Sequence, residues 1–236
     1  MQITPIKTRI FKENENLINF ILKYAKKIRE DSVLIVTSKI VALAEGRTAV
    51  IKNEKTRENI IKKESDFAIR TKYTWLTIKD GMVMAAAGVD ESNANGKIIL
   101  LPKDSFKTAS YLRKALMKHY YIKNLGIIIS DSRLLPLRAG IVGVALGYAG
   151  FKGVRNYIGR PDLFGRLLKI SRTDIADSLA TSAVLLMGEG SERQPLALIT
   201  GAPIEFVNKT NKKELFIDPK EDIYQPLFEK IRKIKL

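Results

Sequence analysis

Residues 126–147 have the sequence GIIISDSRLLPLRAGIVGVALG, and this stretch sets the interpretation of the whole chain. The apolar run Gly126–Ile129 predicts a short buried strand, and a loop through Pro136 separates it from a second apolar run, 140–147. The glycines of the second run indicate bulges or close packing. Asp131 follows the first run after a single residue, Ser130, at a strand end where ligands bind in open sheets. Taken alone, Asp131 is equally compatible with an Asx turn.

Two more acidic islands follow apolar runs in a chain whose net charge is +16. Asp90 comes after the run 82–87, and Glu189 comes after the run 183–187. A carboxylate at the end of a buried element needs a cationic or hydrogen-bonding partner. The charge of Glu189, near a helix C-terminus, is also unfavourable with the helix dipole. We therefore expect Asp90, Asp131 and Glu189 to converge on one divalent-metal site, holding Mg²⁺ or Mn²⁺. As a solvent-facing ligand, Asp131 should contribute little to stability.

Common phosphate-binding motifs are absent, since the sequence has neither a Walker A motif nor a G-x-G-x-x-G motif. The segment Gly188–Ser191 could present backbone amides to an anion. The alternative is an ordinary glycine stop at the end of a helix, which local sequence favours.

Five arginines follow Asp131 in the sequence, at positions 133, 138, 155, 160 and 166. We expect about two of them to bind a ligand, because most surface charges contribute little. The two candidates are Arg133 and Arg138, because guanidinium groups suit bidentate binding of carboxylates or phosphates. The alternative for Arg133 is a surface residue in a turn.

Hydrophobic periodicity predicts an α+β fold of mixed sheets with packed helices. We expect a single unit over residues 1–236, with two intertwined subdomains. The predicted helices begin near Leu17, Thr56, Ser105, Thr173 and Tyr224, and they end near residues 28, 70, 121, 187 and 234. The predicted strands cover residues 3–7, 33–37, 48–51, 73–77, 82–87, 97–101, 126–129, 167–170 and 196–200. A short apolar turn is expected after Ser38-Lys39, and Asp80-Gly81 predicts a hairpin turn.

The amino-acid composition limits the classes of protein and of active site that the chain can form. Apolar residues make up 45% of the chain, which can supply a continuous core. With no cysteine and one histidine, thiolate chemistry and histidine-rich metal sites are excluded. The apolar stretches are too short for a membrane span and the start has no signal-peptide pattern, so we expect a cytoplasmic protein. The basic charge keeps open a different class, a non-enzymatic nucleic-acid-binding protein, although no nucleic-acid motif supports it.

Three segments together resemble the γ-glutamyl ligases that add glutamate to the deazaflavin coenzyme F420. They are AAAGVDESNANG at 85–96, ISDSRLLPLRAGIVGVALGYAGFKGVRNYIGRPDLFGR at 129–166 and LLMGEGSERQPLALITG at 185–201. SKIVALAEGR at 38–47 is a weaker match. The resemblance extends from the first strand to about Gly201, and residues from Ala202 onward add nothing to it.

The resemblance implies a homodimeric α+β enzyme that uses GTP or ATP and two divalent ions. It implies phosphorylation of an acceptor carboxylate, followed by attack of the amino group of L-glutamate on the acyl phosphate. The implied metal ligands are Asp90, Asp131, Ser132 and Glu189. The implied nucleotide-binding residues are Ser38, Lys39, Asn93, Met187, Gly188, Gly190, Ser191 and Gln194.

The sequence also departs from the archaeal pattern of the family. Residues 130–135 are Ser-Asp-Ser-Arg-Leu-Leu where archaeal members have Thr-Asp-Thr-Asn-Gly-Arg, and Leu43 stands where they have a lysine. Lys39 is a candidate to replace that lysine. The altered loop is similar to that of bacterial relatives regarded as folate-type γ-glutamate ligases. The sequence therefore leaves the acceptor open between a deazaflavin and a folate-like compound.

Overall fold

A computed structural model describes residues 1–228 of the chain. The helices are α1 (Leu17–Tyr24), α2 (Ser38–Ala44), α3 (Glu54–Glu64), α4 (Ser105–Tyr120), α5 (Ile175–Met187) and α6 (Gln225–Phe228), with a 3₁₀ turn at Ala86–Gly88. The strands are β1 (Gln2–Ile6), β2 (Ser32–Thr37), β3 (Thr48–Ala49), β4 (Phe67–Arg70), β5 (Trp75–Lys79), β6 (Met82–Ala85), β7 (Ile98–Ile99), β8 (Leu125–Leu134), β9 (Ile141–Ala149), β10 (Val154–Asn156), β11 (Arg172–Asp174) and β12 (Leu196–Thr200). This mixture confirms the α+β prediction.

The largest sheet has five strands in the order β1-β12-β2-β8-β9. Its central pair, β2 and β8, is parallel, and the other neighbours are antiparallel. Residues alternate between the two faces of a strand. Accordingly, Leu34 and Val36 pack with α1, α2 and α4 on one face, whereas Val33 and Ile35 pack with α5 on the other. Apolar cores on both faces hold the sheet between helices and fix the edge at which β2 and β8 end.

The glycines of β9 allow helices to approach both faces closely. A Cβ atom at Gly143 would lie 2.5 Å from the backbone oxygen of Ala180 in α5, and one at Gly147 would lie 2.5 Å from the backbone nitrogen of Phe106 in α4. The β8–β9 pairing also shifts register between Ile129 and Ser130. The prediction of bulges or close packing is therefore confirmed.

A smaller sheet, β4-β5-β6, packs against α3 through a core that includes Ile61, Trp75 and Ala86. Asp80 and Gly81 join β5 to β6 with φ values of 51° and 73°. Positive φ at both turn residues is the geometry of a tight hairpin turn, which confirms that prediction. Beyond β6, the 3₁₀ turn leads the chain to Asp90.

Several predicted boundaries were wrong. A short turn was expected after Ser38-Lys39, but residues 38–44 form a helix. The helix is stabilised because Ile40, Val41 and Ala42 are all buried. The helix α3 ends at Glu64, and residues 67–70 join the smaller sheet as β4. β8 continues to Leu134, so Asp131 lies within a strand. Residues 167–170 form no strand, and only Leu167 makes an isolated bridge, to Pro161.

The helix α5 begins after Asp174, not Thr173, because the Asp174 carboxylate accepts a hydrogen bond from the Asp177 backbone amide at 2.9 Å. Burial, together with the neighbouring carboxylate of Asp177, raises the pKa of Asp174 to about 6 from an ordinary 3.8. Between these two pH values Asp174 holds its proton in the folded protein and loses it in the unfolded chain. The contribution of Asp174 to stability therefore falls as the pH rises from about 4 to about 6.

We expect Asp174→Asn to stabilise the protein at pH 8, because asparagine caps helices equally well and carries no charge to bury. The raised pKa of Asp174 corresponds to at most about 3 kcal/mol, and we expect about 1–2 kcal/mol because the side chain is only half-buried. Urea unfolding at pH 4 and pH 8 measures the effect. Asp104→Asn, at the exposed cap of α4, is the control. A variant less stable than wild type at pH 8 would contradict the assignment.

The segment after β12 lies along the end of β9 and the start of β10. The Glu214 carboxylate accepts hydrogen bonds from the buried Tyr148 hydroxyl and from the Gly153 amide, both at 2.6 Å. Thr210 Oγ1 accepts a hydrogen bond from the Gly150 amide at 3.0 Å. These contacts give residues 202–216 a structural role that the sequence did not reveal. The predicted terminal helix at 224–234 begins at Gln225, and its part beyond Phe228 lies outside the described residues.

We expect Glu214→Ala to lower the free energy of unfolding by about 2–4 kcal/mol, because two hydrogen-bond donors lose their acceptor. This corresponds to a fall in Tm of roughly 5–15 °C for a domain of this size. Glu205→Ala is the matched control, since the Glu205–Lys152 pair is exposed and should contribute less than about 1 kcal/mol. Equal Tm values for the two variants would show that the contacts of Glu214 do not anchor the segment.

Candidate active site

The candidate site lies where three neighbouring strands meet one edge of the large sheet. The parallel strands β2 and β8 bring Ser38 and Asp131 to this edge. The segment before β12 reaches it as well, because the Thr37 amide donates to the Pro195 carbonyl at 3.0 Å. The sheet topology thus brings together residues far apart in the sequence.

Four contacts connect the predicted site residues in a closed circuit. Ser38 Oγ donates to Asp131 Oδ1 at 2.8 Å, and Lys39 Nζ lies 2.8 Å from Asp90 Oδ2. Asn93 Nδ2 donates to the Gly190 carbonyl at 3.4 Å, and Ser132 Oγ donates to Glu189 Oε1 at 2.6 Å. These contacts join four short segments of the chain, 38–39, 90–93, 131–132 and 189–190. Each segment contacts two others, so the circuit is closed. We call this circuit the rim: Ser38, Lys39, Asp90, Ser92, Asn93, Asp131, Ser132, Glu189 and Gly190.

Asp90 is fixed by both its backbone and its side chain. Its amide and carbonyl pair with Ile99 at 2.9 and 2.8 Å. Its carboxylate accepts from the Ser92 amide at 2.7 Å and pairs with Lys39. Burial alone would raise the pKa of Asp90, but the contacts with Lys39 and Ser92 outweigh it and lower the pKa. Asp90 is therefore ionised at neutral pH.

Asp131 lies in a less favourable environment, with its side chain only 23% exposed. Burial raises the pKa of Asp131, and the negative charge of Asp90 raises it further, although Arg133 and Ser38 oppose the change. Arg133 Nη1 lies 3.1 Å from Asp131 Oδ2. The structure places Arg133 in the interior at 7% exposure, so it is not a surface residue in a turn.

Glu189 follows the C-terminus of α5, as predicted. Gly188 ends the helix with φ 78°, and its amide donates to the Val184 carbonyl at 3.0 Å. The Gly190 amide donates to Glu192 Oε2 at 2.8 Å. Of the two alternatives for this segment, the geometry is that of the glycine stop, and the Gly190 amide already has an anionic partner.

The remaining predicted residues differ in their relation to the rim. The Met187 side chain is buried in the core beside α5, so only its backbone is placed to meet a ligand. Ser191 is exposed, and Gln194 is half-buried. Arg138 is exposed on the turn between β8 and β9, and no hydrogen bond within residues 1–228 joins its side chain to the rim.

The chemistry of the rim fits a hard divalent cation. Its carboxylates and hydroxyls are oxygen donors of the kind that Mg²⁺ and Mn²⁺ prefer. Asp90 and Asp131 are close enough for their charges to repel, and a cation would relieve this. Within residues 1–228, however, no group of three acidic or other metal-ligating side chains is arranged to hold a metal. The expected convergence of three carboxylates is not preformed, which leaves one or two carboxylates per ion, as Mg²⁺ often has when phosphates complete its shell.

Sequence reasoning missed several polar residues near the site. Ser92 Oγ accepts from Lys39 Nζ at 2.9 Å, and its position two residues after Asp90 is typical of an Asx turn. Ser130 Oγ is buried and has no hydrogen-bond partner among the described residues, and the same holds for Oε1 of Gln194, which the resemblance had already implied. Asp177 accepts from the Ala145 amide at 2.8 Å, and its charge acts on Arg133. Asp177 lies three residues after the capping Asp174. This spacing was the sequence signal that could have identified it.

Comparison with known proteins identifies the family of the chain. A family model described as F420-0:Gamma-glutamyl ligase matches residues 5–201. Coenzyme F420:L-glutamate ligase of Methanococcus maripaludis strain S2 is 32% identical over 244 residues, covering 95% of this chain and 97% of the relative. The ligase of the same name from Methanocaldococcus jannaschii is 32% identical over 242 residues, covering 94% and 95%. A third, from M. maripaludis strain C7, is 43% identical over 147 residues, covering 62% of this chain and 58% of the relative. The chain therefore belongs to the F420-0:gamma-glutamyl ligase family of amide-forming ligases.

Proposed function

We propose that the protein is a nucleotide- and divalent-metal-dependent γ-glutamyl ligase. It adds L-glutamate to a carboxylate of a coenzyme F420 precursor or of a folate-like acceptor, and GTP or ATP supplies the energy. The observation that carries the proposal is the rim, in which four segments of the chain bring carboxylates, hydroxyls and one lysine to one sheet edge in a member of this family. A cytoplasmic location is part of the proposal, and no helix within residues 1–228 has the length and apolar character needed to cross a membrane.

In the proposed reaction, an acceptor carboxylate oxygen attacks the γ-phosphorus of the nucleotide. The bond from this phosphorus to the bridging oxygen breaks, and GDP or ADP leaves. The amino group of L-glutamate then attacks the acyl carbon, the carbon–oxygen bond to phosphate breaks, and the nitrogen loses a proton as the amide forms. Two divalent ions would neutralise the phosphate charge. No protein nucleophile is needed.

We assign the binding of metal ions, phosphates and nucleotide to different residues of the site. Asp90, Asp131, Ser132 and Glu189 would hold the two ions. Lys39 would pair with phosphate oxygens and release Asp90 to a metal, since ammonium groups bind phosphate as point charges. Ser38, Asn93 and the segment 187–194 would orient the nucleotide. The rim itself carries one cation against three carboxylates, and divalent ions would balance this excess of negative charge.

We also propose that the protein is a homodimer. The chain from β10 to β11 forms a long hairpin, with backbone hydrogen bonds from Gly159 to Leu168 and from Asp162 to Arg166. At its tip, Leu163 and Phe164 are 98% and 95% exposed. Adjacent exposed apolar side chains are typical of interaction surfaces, and a second copy of the chain is the occupant that we propose.

A screen of acceptors with radiolabelled L-glutamate tests the reaction. Deazaflavin and folate-like acceptors are each incubated with GTP or ATP and with Mg²⁺ or Mn²⁺. We expect label to enter one acceptor class only when nucleotide and metal are both present. Incorporation without nucleotide, or no incorporation with any acceptor, would contradict the proposal. The second result combined with nucleic-acid binding that weakens steeply with salt would favour the nucleic-acid alternative.

A further inference from the structure

Arg133 has more hydrogen-bonding capacity than its surroundings use. Its Nη1 atom meets Asp131 at 3.1 Å, while Nε and Nη2 are buried and have no hydrogen-bond partner among residues 1–228. The residue is 7% exposed. Unpartnered donors on a buried cation are costly, so natural proteins rarely leave them without a purpose.

The two acidic groups near Arg133, Asp131 and Asp177, also interact with other groups. Asp131 also accepts a hydrogen bond from Ser38 and is proposed to bind a divalent ion. Asp177 accepts from the Ala145 amide and interacts with Asp174. A divalent ion on Asp131 would repel the guanidinium unless an anion lay between the two cations. The free Nε–Nη2 edge is the side of a guanidinium that pairs with a planar carboxylate through two parallel hydrogen bonds.

We infer that Arg133 binds a substrate carboxylate through Nε and Nη2 beside the metal-binding Asp131. This inference rests on the proposed function for the identity of the substrate. Both donor atoms are covered by neighbouring protein atoms, so binding a carboxylate in this way requires the guanidinium to turn toward the rim. Arg133 thereby fixes which carboxylate-bearing compound is accepted, and the carboxylate comes either from L-glutamate or from the acceptor.

Nuclear magnetic resonance of the Arg133 side chain tests the inference without relying on turnover. The Nε–H resonance of Arg133 is identified by its loss in Arg133→Lys. L-glutamate, the acceptor identified by the screen (or, if none is found, a coenzyme F420 precursor and a folate) and inorganic phosphate are then titrated separately. We expect a saturable shift with L-glutamate or with an acceptor, and the responding compound identifies the source. A shift with phosphate alone, or none, would overturn the inference.

Kinetics separates binding from a purely structural role. Arg133→Lys keeps the positive charge beside Asp131 and Asp177 but loses the planar fork. We expect it to raise KM for one carboxylate substrate tenfold to a hundredfold, the effect of losing a charge-assisted contact, while KM for the nucleotide changes little. Arg29→Ala is the control, because Arg29 is exposed and precedes β2 at the strand end opposite Ser38.

The two proposals can fail independently. Ligase activity combined with an unshifted resonance and unchanged KM values in Arg133→Lys would overturn the role of Arg133 alone. A carboxylate-induced shift in a protein that incorporates no glutamate would overturn the proposed reaction and leave the carboxylate site standing.

Discussion

Asp131→Asn should reduce glutamate ligation at least about a thousandfold. Asp131 connects Ser38 to the rest of the rim and is the most deeply placed carboxylate of the circuit. Metal ions supply several kcal/mol of transition-state stabilisation in phosphoryl transfer, and each 1.36 kcal/mol corresponds to a factor of ten in rate. Initial rates of radiolabelled amide formation at saturating Mg²⁺ or Mn²⁺ measure the loss.

Loss of activity must be separated from loss of fold, because Asp131→Asn also leaves the buried Arg133 without its ionic partner. We expect the single variant to be destabilised by about 1–3 kcal/mol. The double variant Asp131→Asn with Arg133→Met removes both charges and should regain most of the stability while staying inactive. Activity near the wild-type level in either variant would show that Asp131 is not a metal ligand.

Leu163→Asp combined with Phe164→Asp should convert the proposed dimer into a monomer. The two side chains form the exposed apolar tip of the β10–β11 hairpin, and charges there would lie in the buried centre of an interface. Residues at the centre of an interface commonly contribute about 2 kcal/mol or more each, so we expect Kd to rise at least a hundredfold. Analytical ultracentrifugation over a range of concentrations measures the change.

A charge placed on another exposed aromatic residue controls for general effects on solubility. Tyr73→Asp serves this purpose, because Tyr73 is 83% exposed at the turn before β5 in the smaller sheet. We expect this variant to behave as wild type does. A wild-type protein that sediments as a monomer at every concentration, or a double variant that remains dimeric, would contradict the proposed interface.

Local sequence patterns were sufficient wherever neighbouring residues determine the structure. The apolar run of β2 and the Asp80-Gly81 turn are local signals, and both predictions were confirmed. Residues 67–70 were assigned to a helix because their pairing with β5 depends on residues further along the chain. The same limit applies to β8, whose extension through Asp131 depends on its pairing with β9. Tertiary pairing outweighed the local signal in both places.

For the site, residue type and position next to apolar runs identified Asp90, Asp131 and Glu189. The burial of Arg133 could not be predicted, because it follows from the continuation of β8 beyond Ile129. For the same reason, the sequence suggested that Asp131 faces solvent and contributes little to stability. Because Asp131 pairs with a buried guanidinium, we expect instead that its replacement lowers stability. The family resemblance explained the choice of Ser38, whose Asp131 contact spans 93 positions of sequence.

Transfer of oxygen from acceptor to phosphate tests the central claim most directly. Both oxygens of the acceptor carboxylate are labelled with ¹⁸O, the wild-type protein is supplied with L-glutamate, nucleotide and metal, and the released phosphate is analysed by mass spectrometry. Attack of the carboxylate on the γ-phosphorus followed by amide formation predicts one ¹⁸O atom in each released phosphate. Phosphate without ¹⁸O, in a reaction that still forms the amide, would contradict an acyl-phosphate mechanism at the rim.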